Sequence, residues 1–210
     1  MRPSALLLLV GFAASACTPE PDPGTEDPTP GPSHPCYDAW GPLPADGRLH
    51  VDASAGAGGD GSFGAPFDGL DAALQASRST GERQIVLAGG DYEGTWLLSD
   101  SQGDSGLDIA GCGADSTLLH GVVLPTPVPP DAVVDLLQPL FDITGASTVD
   151  VGLRDLALVG GRRALIVRDG AGGGGPILVE RVAVLDSVRL GVLIDGAATV
   201  AQLWDVQIEG

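Results

Sequence analysis

The chain has 210 residues, and its 28 acidic side chains against 10 basic ones give a formal net charge of −18. This charge argues strongly against nucleic acid as a partner and against electrostatic docking on anionic lipid, because few basic groups are present to neutralise phosphates. Glycine is abundant at 32 residues and aromatic residues make up only 4%. Val, Leu, Ile and Ala must therefore supply the core, a composition that suits many short strands joined by tight turns.

Residues 1–16 have the pattern of a secretory signal peptide. Arg2 supplies a positive charge, an apolar run extends from Ala5 to Ala13, and small residues follow. The run is shorter than the roughly 20 apolar residues that a membrane span needs. The segment Ala14-Ser15-Ala16-Cys17 resembles the lipobox of bacterial lipoproteins, which implies cleavage before Cys17 and acylation of that residue. An ordinary cleaved signal is the alternative.

Residues 17–35 are predicted to be a disordered tether that begins at the lipidated Cys17. After that cysteine the segment is rich in Pro, Asp and Glu and has no large apolar residue to bury. The predicted location is therefore outside the cytoplasm, on a bacterial membrane through the lipid anchor, with the outer membrane or the cell surface favoured.

The two other cysteines, Cys36 and Cys112, are candidates for a disulfide in an oxidising compartment. The alternative is a pair of buried thiols. Two cysteines without clustered histidines do not make a typical zinc site.

Residues 36–83 are predicted to be an amino-terminal cap region that contains one helix, at about 67–79. Phe67, Leu70, Leu74 and Ser77 follow the helical period. Gly81 is expected to end the helix.

Residues 84–210 are predicted to be a solenoid of short strands. The segment 153–158 matches 179–184, which in turn matches 203–208. The spacing of these segments suits one turn of a three-sided parallel β-helix. The predicted strands are 84–88, 95–98, 107–110, 117–123, 140–143, 149–159, 164–168, 177–185, 190–194 and 199–208.

Stacking of the repeats places like residues in columns. The predicted inward columns are aliphatic: Leu153/Val179/Leu203, Leu156/Val182/Val206 and Leu158/Val184/Ile208. The column Asp155/Arg181/Asp205 alternates in sign and should point outward or lie at a bend, where aspartate tolerates left-handed backbone.

Residues 51–121 resemble the amino-terminal part of right-handed parallel β-helix proteins of the pectin-lyase-like superfamily. The resemblance is carried by Val51-Asp52 with the following GAGGDGS, by Pro66-Phe67, by residues 85–92 and by 107–113. It implies an all-β, right-handed parallel β-helix solenoid whose helix after Pro-Phe caps the amino-terminal end. Because this fold hosts many activities, it implies little about function.

The chain stops at Gly210 directly after a predicted strand, without a capping element. We expect a partner or self-association to cover the last aliphatic layer, or the reading frame to be truncated.

One functional hypothesis is a carbohydrate-active enzyme, either a polysaccharide lyase or a glycoside hydrolase, on the outer face of the β-helix. Hydrolysis needs two carboxylates, and Asp169 and Asp195, which the repeat places at equivalent positions, are the candidate pair. The chain has no lysine base and lacks the N-T-D and G-H-G motifs of polygalacturonases. His50 and His120 are the remaining candidate bases.

A calcium site is a second possibility. Asp52, Asp60 and the glycine-rich loop between them offer carboxylates and carbonyl groups, the oxygen ligands that Ca²⁺ prefers. No EF-hand spacing is present. The alternative is a flexible loop, and no other cofactor is predicted.

The preferred hypothesis is a non-catalytic surface binding or structural module directed at a polysaccharide or an envelope protein. Trp40, Trp96 and Trp204 are candidates for stacking on sugars, with Trp204 predicted to be exposed and Trp96 open to a buried alternative. The Pro-rich insert 124–139 is predicted to protrude as a loop. Two acidic side chains and an arginine that converge in an outer groove would favour the enzyme, whereas a smooth face would favour the module.

Overall fold

The computed structural model describes residues 47–121, 139–187 and 190–209. Over these ranges the chain is predominantly β, with parallel sheets and one α-helix, α1, at Leu70–Thr80. The strands are β1 (Arg48–Val51), β2 (Gln84–Leu87), β3 (Gly90–Glu93), β4 (Trp96–Ser99), β5 (Asp108–Ala110), β6 (Thr117–His120), β7 (Phe141–Thr144), β8 (Gly152–Val159), β9 (Arg163–Arg168), β10 (Ile177–Leu185), β11 (Leu190–Ile194), β12 (Ala201–Trp204) and β13 (Gln207–Glu209). The predictions for Cys17, the tether, Cys36, Trp40 and most of the Pro-rich insert lie outside the described residues.

The strands form two parallel sheets. The first has the order β1-β2-β5-β8-β10-β12, and in addition β6 pairs with β8, β3 pairs with β6 and β13 pairs with β10. The second has the order β4-β7-β9-β11. From β8 to β12 the chain alternates between the two sheets. Parallel neighbours require such crossover connections, because a tight hairpin joins only antiparallel strands.

Two long strands of the first sheet bend in the middle at residues in left-handed conformation. Asp155 in β8 has φ 56° and Arg181 in β10 has φ 51°, and Asp205 repeats the bend between β12 and β13 with φ 51°. Aspartate tolerates this region, whereas arginine is disfavoured there. The Arg181 guanidinium group donates to both carboxylate oxygens of Asp155, at 2.6 and 2.8 Å, which offsets the strain. The predicted bend column is confirmed.

The strand register confirms two of the predicted columns in full and the first two residues of the third. Val179 pairs with both Leu153 and Leu203, and Val184 pairs with both Leu158 and Ile208. Leu156 lies opposite Val182 in the same way, and Val206 packs partly buried against the core. The last layer is not buried, since Leu203 is 44% and Ile208 59% exposed.

The helix begins later than predicted, at Leu70. Phe67 lies before the helix and forms a parallel bridge with Val51, while Leu70, Ala73, Leu74 and Ser77 supply the buried face. The predicted end is confirmed, because Gly81 adopts φ 83° and its amide donates to the Ser77 carbonyl oxygen at 2.8 Å. The helix contacts β1 and β2, and β1 is the terminal strand of its sheet.

Candidate functional site

A shallow groove of about 230 Å³ lies on the outer face of the first sheet. Its lining residues are Asp108, Asp150, Gly152, Leu153, Arg154, Leu178 and Glu180. They come from β5, β8 and β10 and from the residues just before β8. The alternation of strand side chains explains the groove, since Leu153 and Val179 point into the core and their neighbours point outward.

Gly152 creates the hollow. It lies between Asp108 and Leu178 in one column of the sheet. A Cβ atom at this position would lie 2.7 Å from Asp108 Oδ1, closer than non-bonded atoms approach. The missing side chain leaves space for the Asp108 carboxylate to lie over the glycine.

Arg154 is held in place by Asp108. Its Nη2 donates to Asp108 Oδ2 at 2.8 Å and its Nε donates to Oδ1 at 3.1 Å. The hydrogen bond that Arg154 donates to Asp108 raises the pKa of Arg154 above its ordinary value, against the opposing effect of burial. Such a two-point pair fixes the orientation of the guanidinium group as well as its charge.

A second guanidinium group continues this network along β10. Arg181 binds Asp155 through two hydrogen bonds and also pairs with Glu180. The hydrogen bond that Arg181 donates to Asp155 is the largest cause of the raised pKa of Arg181. Carboxylates and guanidinium groups therefore alternate across the outer face from Asp108 to Glu180.

Trp204 extends the same face. Glu180 pairs with Arg154 on one side and with Trp204 on the other, and the Trp204 side chain is 63% exposed. Its predicted exposure is confirmed. Trp96, by contrast, is 3% exposed and packs against Phe141 with ring centroids 5.1 Å apart. The proposal that Trp96 stacks on sugars is therefore wrong, because its faces are covered by the core.

Asp169 and Asp195 lie at the ends of strands in the second sheet, away from the groove. Their predicted equivalence is wrong by one position, since Ile194 pairs with Val167 and Gly196 lies against Asp169. Asp169 Oδ2 accepts hydrogen bonds from Thr144 Oγ1 and Arg168 Nη1, each at 2.8 Å. The two carboxylates therefore occupy different levels of their strands, and their catalytic role stays a prediction.

The calcium candidates each serve a local turn. Asp52 Oδ1 accepts hydrogen bonds from the amide and hydroxyl groups of Ser54, at 2.8 and 2.6 Å. Hydrogen bonds from the Ser62 hydroxyl and amide groups lower the pKa of Asp60. Within residues 47–121, 139–187 and 190–209, no group of three His, Cys, Asp or Glu side chains is arranged to hold a metal ion. The calcium site stays a prediction.

The two histidines of the described chain differ in environment. His120 Nε2 lies 2.8 Å from Asp91 Oδ1 on the outer face of β6, so the ring is oriented by an acidic partner. His50 is 7% exposed, and its ring meets Phe63 edge-on at 5.6 Å. Burial, and secondarily the charge of Arg48, lower the pKa of His50 below its ordinary value of 6.5.

The lowered pKa of His50 predicts that acid destabilises the fold. The unfolded chain takes up a proton as pH falls through 6.5, while the folded chain does not, so the free energy of unfolding falls with pH in that window. Urea unfolding at about pH 7.5 and about pH 5.5 measures this loss. The His50→Gln variant should lose less stability between the two pH values than the wild type, and equal losses would contradict the assignment.

Cys112 is half-buried after β5, and its amide donates to Thr117 Oγ1 at 2.8 Å. Its predicted disulfide partner, Cys36, lies outside the described residues, so the pairing stays a prediction.

Sequence reasoning missed Asp108, Asp150 and Gly152 as groove residues. The repeat period indicates which residues share the column of Arg154 and Glu180, and Trp204 was found in that way. Asp108 pairs with Gly152 across a much longer stretch of chain, because the insert 124–139 interrupts the period. No signal in the sequence links the two.

No helix among the described residues is long and apolar enough to cross a membrane.

No family model matches the chain. Neither a curated protein nor a solved structure matches it. The resemblance inferred from the sequence therefore has no support from relatives. The parallel sheets of the structure are compatible with it.

Proposed function

We propose that the chain is an exported lipoprotein whose parallel sheets are the faces of a right-handed β-helix, and that its outer groove binds envelope glycans without altering them. The repeated parallel register and the helix against β1 support this architecture, since an open solenoid end needs a cap. The acidic surface makes the lipid on Cys17 the expected membrane attachment.

The observation that carries the binding function is the column Arg154–Glu180–Trp204 beside the groove. An exposed indole offers an apolar face for a sugar ring, and the fixed charged groups next to it offer hydrogen bonds for hydroxyl groups. The groove and this column lie on strands with regular register, so their geometry is set before a ligand arrives.

A carbohydrate-active enzyme is the second candidate, because Asp108, Glu180 and Arg154 converge in one outer groove, the arrangement expected of such an enzyme. Binding is preferred because the carboxylates of Asp108 and Glu180 are already engaged by guanidinium groups, which hold them in place within the lining of the groove. Release of reducing ends from an oligosaccharide panel, lost in Glu180→Gln, would establish the enzyme instead.

Truncation of Trp204 should weaken glycan binding by at least about tenfold, the usual effect of removing a central aromatic anchor. Titration of the purified domain with a panel of neutral, amine-bearing and uronic-acid oligosaccharides measures the affinity. Because Trp204 is largely exposed, Trp204→Ala should remain folded.

Leu97→Ala is the matched control, since Leu97 is an exposed apolar side chain on the second sheet. It should bind like the wild type. The proposal fails if no glycan in the panel binds, or if Trp204→Ala and Leu97→Ala have the same affinity as the wild type.

The Cys17→Ser substitution should move the protein from the membrane fraction to the soluble fraction, because acyl chains are the expected anchor. Intact mass of the wild type should correspond to a chain that starts at Cys17 and carries acyl groups. An unmodified mature chain would show that the signal peptide is of the ordinary cleaved kind.

A further inference from the structure

The groove carries an excess of negative charge. Its lining includes three carboxylates, from Asp108, Asp150 and Glu180, and one guanidinium group, from Arg154. The adjacent Arg181 and Asp155 bind each other and contribute one positive and one negative charge, so the excess of carboxylates over guanidinium groups stays the same. Because the whole chain also has a net charge of −18, a polyanionic ligand is repelled both at a distance and at the site.

The guanidinium groups offer little to an anionic ligand. Arg154 is bound at two points by Asp108, and Arg181 is bound at two points by Asp155. A uronic-acid carboxylate would have to displace one of these carboxylates to gain a comparable pair. The lining therefore disfavours acidic glycans.

Asp150 differs from the other two carboxylates of the groove. Its side chain makes no hydrogen bond or ion pair with any residue that the structure describes, whereas Asp108 and Glu180 each have an arginine partner. It is exposed, and its backbone is held in a left-handed turn with φ 53°. Across from it, a Cβ atom on Gly175 would lie 2.4 Å from Asp150 Oδ1, so the Asp150 carboxylate lies directly over the glycine.

We infer that the groove selects glycans that bear free primary amines, namely de-N-acetylated hexosamine polymers, and that Asp150 binds the ligand ammonium group. This inference rests on the proposed glycan binding. The ammonium group forms a charge-assisted hydrogen bond with the carboxylate. Leu178, which is 40% exposed, and the Trp204 indole offer apolar contacts for the sugar rings.

The test compares four ligands of equal length in equilibrium titrations: oligomers of glucosamine, N-acetylglucosamine, galacturonic acid and lysine. The glucosamine oligomer should bind at least about tenfold more tightly than its N-acetylated counterpart, the factor that one hydrogen bond between charged groups supplies. The galacturonic acid oligomer should bind most weakly. Raising the salt concentration should reduce the preference for the amine.

Asp150→Asn removes the charge and keeps the shape, and asparagine tolerates the left-handed turn. This variant should lose most of the preference for glucosamine and keep the wild-type affinity for N-acetylglucosamine. Asp186→Asn is the matched control, because Asp186 is also exposed and has φ 54°, but lies at the end of β10 outside the groove. It should behave like the wild type.

Each outcome decides between the hypotheses. Equal affinity for the glucosamine and N-acetylglucosamine oligomers, or equal effects of Asp150→Asn and Asp186→Asn, overturns the selectivity and leaves glycan binding intact. Tightest binding of the lysine oligomer with the same dependence on Asp150 identifies a basic polypeptide as the ligand and overturns the inference. Absence of binding to every sugar oligomer refutes the proposed function itself, and the selectivity with it.

Discussion

Arg78→Ala should lower the free energy of unfolding by about 3–5 kcal/mol, the usual cost of removing one partner from a buried ion pair. Arg78 lies in the last turn of α1, and its Nε donates to Asp104 Oδ1 at 2.8 Å. The Asp104 side chain is 1% exposed, while Arg78 is 28% exposed. The loss of the arginine would therefore leave the Asp104 carboxylate with only the hydrogen bond from the Ser99 amide.

The same guanidinium group joins the helix to β4, because its Nη2 donates to the Leu97 carbonyl oxygen at 3.0 Å. Urea unfolding of Arg78→Ala, Asp104→Ala and the double variant forms a thermodynamic cycle. The double variant should be more stable than the sum of the two single losses implies, because it buries no unpaired charge. A loss within about 0.5 kcal/mol for Arg78→Ala would show that the pair behaves as a surface contact.

Leu153→Ala should lower the free energy of unfolding by about 2–5 kcal/mol, because it leaves a cavity in the core. Leu153 is fully buried, and Val179 and Leu203 follow it in the same column of the first sheet. The column therefore offers two leucines that differ in burial and share their position within the repeat.

Leu203→Ala is the internal control for that prediction. Leu203 is 44% exposed, so its truncation should cost less than half as much as that of Leu153. Chemical unfolding of both variants under the same conditions gives the comparison. Equal losses of unfolding free energy in the two variants would mean that Leu153 and Leu203 are equally buried.

The sequence was sufficient to predict the parallel stacking of the strands. Aliphatic residues recur at the same positions in 153–158, 179–184 and 203–208, and only stacked repeats bury all of them at once. Aspartate at the bend was also informative, because few other residues tolerate a positive φ. Gly81 ended the helix for the same reason.

The sequence was not sufficient to predict the residues of the groove or the exact pairing register of every strand. Strand β3 was missed because its sequence GDYE buries only Tyr92, which leaves no alternating pattern. The error at Asp195 arose because paired positions of β9 and β11 lie one step further apart along the chain than those of β8 and β10. One additional residue between paired positions does not change the similarity of the strand sequences, so comparing side chains does not detect it. Asp150 and Gly152 acquire their roles only from neighbours on other strands.

Carboxyl-group footprinting with a carbodiimide reagent, in the presence and absence of the tightest-binding oligosaccharide, tests most directly whether the groove is the ligand site. We predict that the bound ligand protects Asp150 and Glu180 from labelling and leaves Asp169, Asp195 and Asp186 as reactive as in the free protein. Protection of Asp169 or Asp195 on the second sheet, with Asp150 and Glu180 unprotected, would contradict the proposed location.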